Sequence, residues 1–78
     1  KAKPNRHLRG LRLSAPAPSG APLVAPDGRE VGRVGSSVVS ERLGPIALAI
    51  VRREAAPGTV LRAGEDGVTA EVVELPFA

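Results

Sequence analysis

Apolar residues fall in short runs along this chain, and glycine and proline stand between the runs. No window keeps an apolar stripe at helical spacing over three turns, whereas period-two alternation recurs. The pattern predicts an all-β chain of six short strands. In HLRGLRL, residues 7–13, Leu11 and Leu13 share a face and Arg12 lies opposite. Leu8 falls out of that phase with Gly10 between, which predicts a bulge. In APAPSGAP and beyond, Pro16, Pro18, Pro22 and Pro26 cannot donate to a central ladder. That region reads as loop and edge, with a turn at Ser19-Gly20. LVA is a second strand, and Asp27-Gly28 suits a type I′ turn, whose two central residues need positive φ. REVGRVGSSVV is the third strand. SERLG connects it onward with at most one short helical turn, capped by Ser40 and ended by Gly44-Pro45.

IALAIV is the clearest strand. Ile46, Leu48 and Ile50 point one way; Ala47, Ala49 and Val51 point the other. Such a strand is buried on both sides, or sets its small-residue face against another layer. TVLRA and VTAEVVEL are the fifth and sixth strands, with Glu65-Asp66 at the turn between them. In the sixth, Val68, Ala70 and Val72 alternate with Thr69, Glu71 and Val73. Phe77, the largest apolar side chain, is expected to plug one end of the core. Six strands this short suit a small barrel or sandwich, and a barrel closes its own edges.

The stretch GREVGRVGSSVVS, Gly28 to Ser40, raises a question of chemistry. Its glycines follow G-x-x-x-G-x-x-G. A phosphate loop of the G-x-x-x-x-G-K-[ST] kind needs a Lys that is missing here, and a dinucleotide fingerprint needs G-x-G-x-x-G opening a helix. GRVG also fits the G-x-x-G loop of KH domains, but that loop joins two helices. Val31, Val34, Val38 and Val39 favour strand. The expectation is that Gly32 and Gly35 relieve crowding where a strand coils tightly around a barrel.

Composition narrows the function classes. The 78 residues suit one domain with a thin core. With no cysteine and one histidine, neither a disulfide nor a structural zinc is expected. No apolar run nears the roughly 18 residues of a membrane span and none reads as a signal peptide, so a cytoplasmic chain is expected. The first residue is Lys1 rather than Met, and the expectation is a piece of a longer protein. Residues 1–13 carry Lys1, Lys3, Arg6, Arg9 and Arg12 and no acid; residues 14–78 carry six bases and eight acids. A basic arm beside a mildly acidic body attracts a polyanion, or is a solvated strand face. Phe77 is the lone aromatic, which disfavours stacking on single-stranded nucleic acid. His7 has only Lys and Arg nearby, and Ser36-Ser37 lacks the G-x-S-x-G elbow. Ser hydroxyls bonding backbone are the expected reading. No catalytic constellation assembles.

The residues carry a family resemblance. VGRV with a following Ser, LGPIALAIVRR, the Pro57-Gly58 turn before TVL, and the LPF end stand in one order and spacing. Together they resemble the C-terminal barrel domain of the glycine-cleavage T-protein (aminomethyltransferase) superfamily. NRHLRGLRL further resembles the T-protein-like folate-binding proteins linked to iron–sulfur cluster maintenance and tRNA modification. A reactive signature of that group, K-G-C-[YF]-x-G-Q-E, would stand upstream of Lys1, so no catalytic residue carries over. Many relatives have Thr where Gly35 stands, which adds local flexibility.

The resemblance implies a Greek-key-like barrel over residues 1–78, without catalysis of its own, packed beside the upstream folate-binding domains of a longer protein. Tetrahydrofolate would serve the intact parent, either in one-carbon transfer or in support of iron–sulfur or tRNA-modifying enzymes. Arg6, Arg9 and Arg33 are the candidates to meet its glutamate tail. The alternative is a small RNA-binding barrel, since DGREVGRV also resembles modules of ribosome-maturation factors.

Overall fold

The computed structural model describes residues 6–64, 67–75 and 77. Six strands follow one another: β1 (Arg6–Leu13), β2 (Pro22–Val24), β3 (Glu30–Ser40), β4 (Gly44–Arg52), β5 (Val60–Ala63) and β6 (Val68–Val73). They close into an antiparallel barrel in the order β1-β4-β3-β2-β5-β6. Strands β2, β3 and β4 are successive neighbours, and β1 lies beside β4, a Greek-key order. The described residues include no helix. The expected strands are all present, with ends moved by a residue or two.

The core is built of small and medium side chains. Leu11, Leu23, Val31, Val51, Leu61 and Val72 are its largest fully buried members, and Ala47, Ala49, Ala63 and Ala70 fill between them. The inside of a barrel this narrow admits little more. That settles the two faces of β4. Its small face, Ala47, Ala49 and Val51, is the core, and its large face points outward, with Leu48 37% and Ile50 55% exposed.

Glycine lets β3 lie close on β4. A Cβ at Gly32 would stand 2.6 Å from the Ile50 carbonyl oxygen, and one at Gly35 would stand 3.0 Å from that of Leu48. The β3–β4 register shifts between Val34 and Ser36, so Gly35 sits at a bulge. The crowding expected around these glycines is thus backbone crowding.

Several expectations change. The pairing of β1 with β4 runs without a break from Arg6–Arg52 to Arg12–Ile46, so Gly10 makes no bulge there. Plain alternation already turns Leu8 outward. Gly10 is small because Phe77 rests on it: a Cβ there would lie 2.8 Å from the ring Cζ. Phe77 therefore packs on the outside of the barrel, on the side of Leu48, and does not plug the core. The Asp27-Gly28 turn is not type I′, since Gly28 alone there has positive φ, at 92°. Pro26 fixes a negative φ one residue earlier. The Gly28 N–H donates to the Ala25 carbonyl at 2.9 Å, which closes a turn with Pro26 and Asp27 at its centre. Ser40 caps a turn rather than a helix: its Oγ accepts from the Arg42 and Leu43 N–H groups at 3.2 and 3.1 Å. Gly44 and Pro45 open β4 instead of ending a helix. Pro22 opens β2, and closure of the barrel leaves it no edge to occupy. Glu65 and Asp66 lie outside the described residues.

Replacing Gly32 by Ala forces two backbones apart and is expected to cost about 1–3 kcal/mol in urea unfolding. Gly10→Ala meets only the ends of flexible side chains and is expected to cost less. It should instead shift the NMR signals of the Phe77 ring, the only phenyl ring present.

Candidate functional site

Strand pairing fixes what the outer face of β1, β4 and β3 presents. Its rows run Arg6 with Arg52, Leu8 with Ile50 and Arg33, Gly10 with Leu48 and Ser36, and Arg12 with Ile46 and Val38. Three guanidinium groups collect at one end. Arg6, Arg33 and Arg52 border an open hollow of about 690 Å³, together with Glu30, Ile50 and Gly32.

The charges there are unevenly matched. Arg33 Nε lies 3.3 Å from Glu30 Oε2, and its Nη1 donates to the Gly20 carbonyl at 3.4 Å. Arg52 Nη1 is 4.0 Å from Glu54 Oε2, which also meets Arg29 Nη2 at 3.3 Å. These pairs are exposed, so each contributes at most about 1 kcal/mol and exchanges readily for an incoming anion. Arg6 faces Arg52 in register and has no acidic partner among the described residues. Like charges set opposite each other repel, and an anion between them relieves that repulsion.

Of the three arginines singled out from the sequence, Arg6 and Arg33 meet in this hollow. Arg9 does not line it. Arg9 pairs with Ala49 and follows the inward phase of Leu11, and its Nε is buried without a hydrogen-bond partner among the described residues. Arg52 was missed. The signal was present: in IALAIVR, alternation puts Arg52 on the face of Ile46, Leu48 and Ile50. His7 is exposed, and no group of three His, Cys, Asp or Glu comes together among the described residues. Ser37 bonds backbone, its Oγ donating to the Ala17 carbonyl at 2.7 Å, which ties the proline-rich loop to β3.

Asp27, at the β2–β3 turn, is held below the usual carboxylate range. The main cause is the Arg29 backbone N–H, which donates to Oδ1 at 3.0 Å. Desolvation opposes it, and the Arg29 charge and side-chain hydrogen bond lower it further by lesser amounts. A lowered folded pKa stabilises the turn above the unfolded value near 3.8, and this is lost as pH falls through the folded pKa.

Comparison with known proteins now places the barrel. Residues 6–78 match the glycine cleavage T-protein C-terminal barrel domain. The chain belongs to that family. A solved structure of similar shape is the glycine cleavage system aminomethyltransferase T from Bartonella henselae. It aligns with a TM-score of 0.83 and 28% identity over 96% of this chain. The chain spans 22% of the length of that protein. No match was found among curated proteins.

Titration of the Asp27 carboxyl by NMR is expected to give a midpoint below 3.8. Arg29→Ala is expected to raise it only partway, because the backbone donor remains.

Proposed function

We propose that this barrel is an accessory domain, without catalysis of its own, of a T-protein-like protein that uses or binds tetrahydrofolate. The observation that carries the reading is the hollow at which Arg6, Arg33 and Arg52 converge within a family whose solved relative is an aminomethyltransferase. Guanidinium groups suit carboxylates through paired, charge-assisted hydrogen bonds. The glutamate tail of a folate carries such carboxylates, and the residues present fit that end of the molecule. Among the hollow's lining residues, none is an aromatic to stack on a pterin ring. The ring would therefore be held by other domains, with the barrel at the tail.

In that role Arg6, Arg33 and Arg52 bind and orient the anionic tail; Arg9, on the opposite phase of β1, lies away from the hollow and takes no part. The folate itself supplies the one-carbon carrier. The barrel's part is electrostatic and positional, since no described side chains form a nucleophile paired with a base. A parent that only binds folate, in support of iron–sulfur or tRNA-modifying enzymes, would use the same arginines in the same way.

Calorimetric titration of the full gene product with tetrahydrofolate polyglutamate tests this reading. Arg6→Ala and Arg33→Ala are each expected to weaken binding by roughly 2- to 5-fold, the scale of an exposed ion pair. Arg62→Ala, on the far side of the barrel, should leave it unchanged. Equal affinity in all of these variants would remove the arginines from folate binding.

A further inference from the structure

We infer that the barrel opens along one seam, between β2 and β5, and that the Arg29–Glu54 ion pair is a clasp across it.

The seam is short because both of its strands are bracketed. Pro22 opens β2, and just past its end Pro26 again lacks an N–H. Strand β5 lies between Gly58 and Gly64, whose φ values of 96° and 73° turn the chain on either side of it. Among the described residues the two strands pair at Leu23–Ala63 and Val24–Arg62 alone. The Gly64 N–H donates to the Pro22 carbonyl at 2.9 Å, and Pro22 can return no bond. Bonded pairs alternate along an antiparallel ladder, so Val24 and Arg62 supply the other bonds across the seam. Opposite it in the ring, β4 pairs with β1 from Arg6–Arg52 to Arg12–Ile46 and with β3 from Gly32–Val51 to Ser40–Gly44.

The backbone shows why the pairing stops after Val24. Ala25 turns its N–H to the Arg29 carbonyl at 2.8 Å, and its carbonyl accepts from the Gly28 N–H at 2.9 Å. Pro26 has no donor to offer. With both groups of Ala25 engaged in the β2–β3 turn, the strands part. A hollow of about 280 Å³ lies where they do, bordered by Ala25, Pro26, Thr59 and Leu61. Arg29 and Glu54 stand at its rim. Arg29 Nη2 lies 3.3 Å from Glu54 Oε2, which ties the β2–β3 turn to the β4–β5 connection across the gap.

Each flank of the seam is fastened to its own neighbour. The Val34 N–H donates to the Ala21 carbonyl and the Gly20 N–H to the Val34 carbonyl, so the chain entering β2 is held on β3. On the other flank β5 pairs with β6 from Val60–Glu71 to Ala63–Val68. The Gly58 N–H donates to the Val72 carbonyl, and the Val72 N–H donates to the Thr59 carbonyl. Parting β2 from β5 thus breaks few bonds and leaves two intact hairpins. It uncovers Leu23 and Leu61, both fully buried in the closed barrel, and two unpaired strand edges. Local openings of this kind cost less than global unfolding and set the rate of amide exchange.

Hydrogen exchange of the full gene product, followed by mass spectrometry with residue-resolved fragmentation, tests the seam. After correction for intrinsic rates, the Val24, Arg62 and Gly64 amides should exchange roughly tenfold or more faster than those of Ala47 to Val51 on β4. The Val72 amide, on the β5–β6 flank, should stay slow. Seam amides as slow as those of β4, or a Val72 amide as fast as the seam, would overturn the opening. Glu54→Gln should speed the three seam amides by roughly 2- to 5-fold, the scale of one exposed ion pair. Glu30→Gln removes a pair with Arg33 that lies within β3, and should leave them unchanged. No effect of Glu54→Gln, or an equal effect of both variants, would overturn the clasp.

Discussion

The close approach of β3 to β4 is the constraint on which the molecule turns. Two strands of a narrow barrel meet with backbone against backbone, and Gly32 and Gly35 are the residues that allow it. Closure at that distance leaves a thin interior, so β4 can offer it only Ala47, Ala49 and Val51. Alternation then forces Ile46, Leu48 and Ile50 outward. The apolar outer face is thus the direct counterpart of the small-residue core, in the same strand and by the same geometry.

The same logic explains the last described residues. Once β4 turns its large side chains outward, the neighbouring strand must leave space beside them. Gly10 on β1 leaves it, and Phe77 and Leu75 occupy it. The largest side chain of the protein is therefore spent on the surface rather than in the core. The narrow interior has no room for it, so its burial is limited to what Gly10, Leu48 and Leu75 give it.

Much of this was legible in the sequence, for reasons that can be named. Period-two alternation located all six strands, because side chains of a sheet alternate strictly. The β-branched residues around Gly32 and Gly35 separated a bent strand from a phosphate loop. What escaped was long-range. Whether Gly10 marks a bulge or a seat for Phe77 depends on a residue 67 positions away. The turn at Asp27 depended on Pro26, which moved its centre by one residue. At the site, Arg6 and Arg33 were visible as cations on strands, but their meeting with Arg52 follows from the strand order. That order pairs β1 with β4 and β4 with β3, and local pattern carries no record of it.

Stability is tied to this outer face. A chain of 78 residues buries little surface and is only marginally stable. Covering Leu8, Ile50 and Val38 would remove apolar area from water in the bound state alone, so a partner that binds only the folded barrel stabilises it by mass action. The arginines at the margin add register more than energy, since exposed ion pairs are weak and desolvated charges are costly. Arg6 against Arg52 is the sharpest instance. Two cations opposed on adjacent strands disfavour the isolated barrel slightly, and a carboxylate brought between them turns that repulsion into attraction.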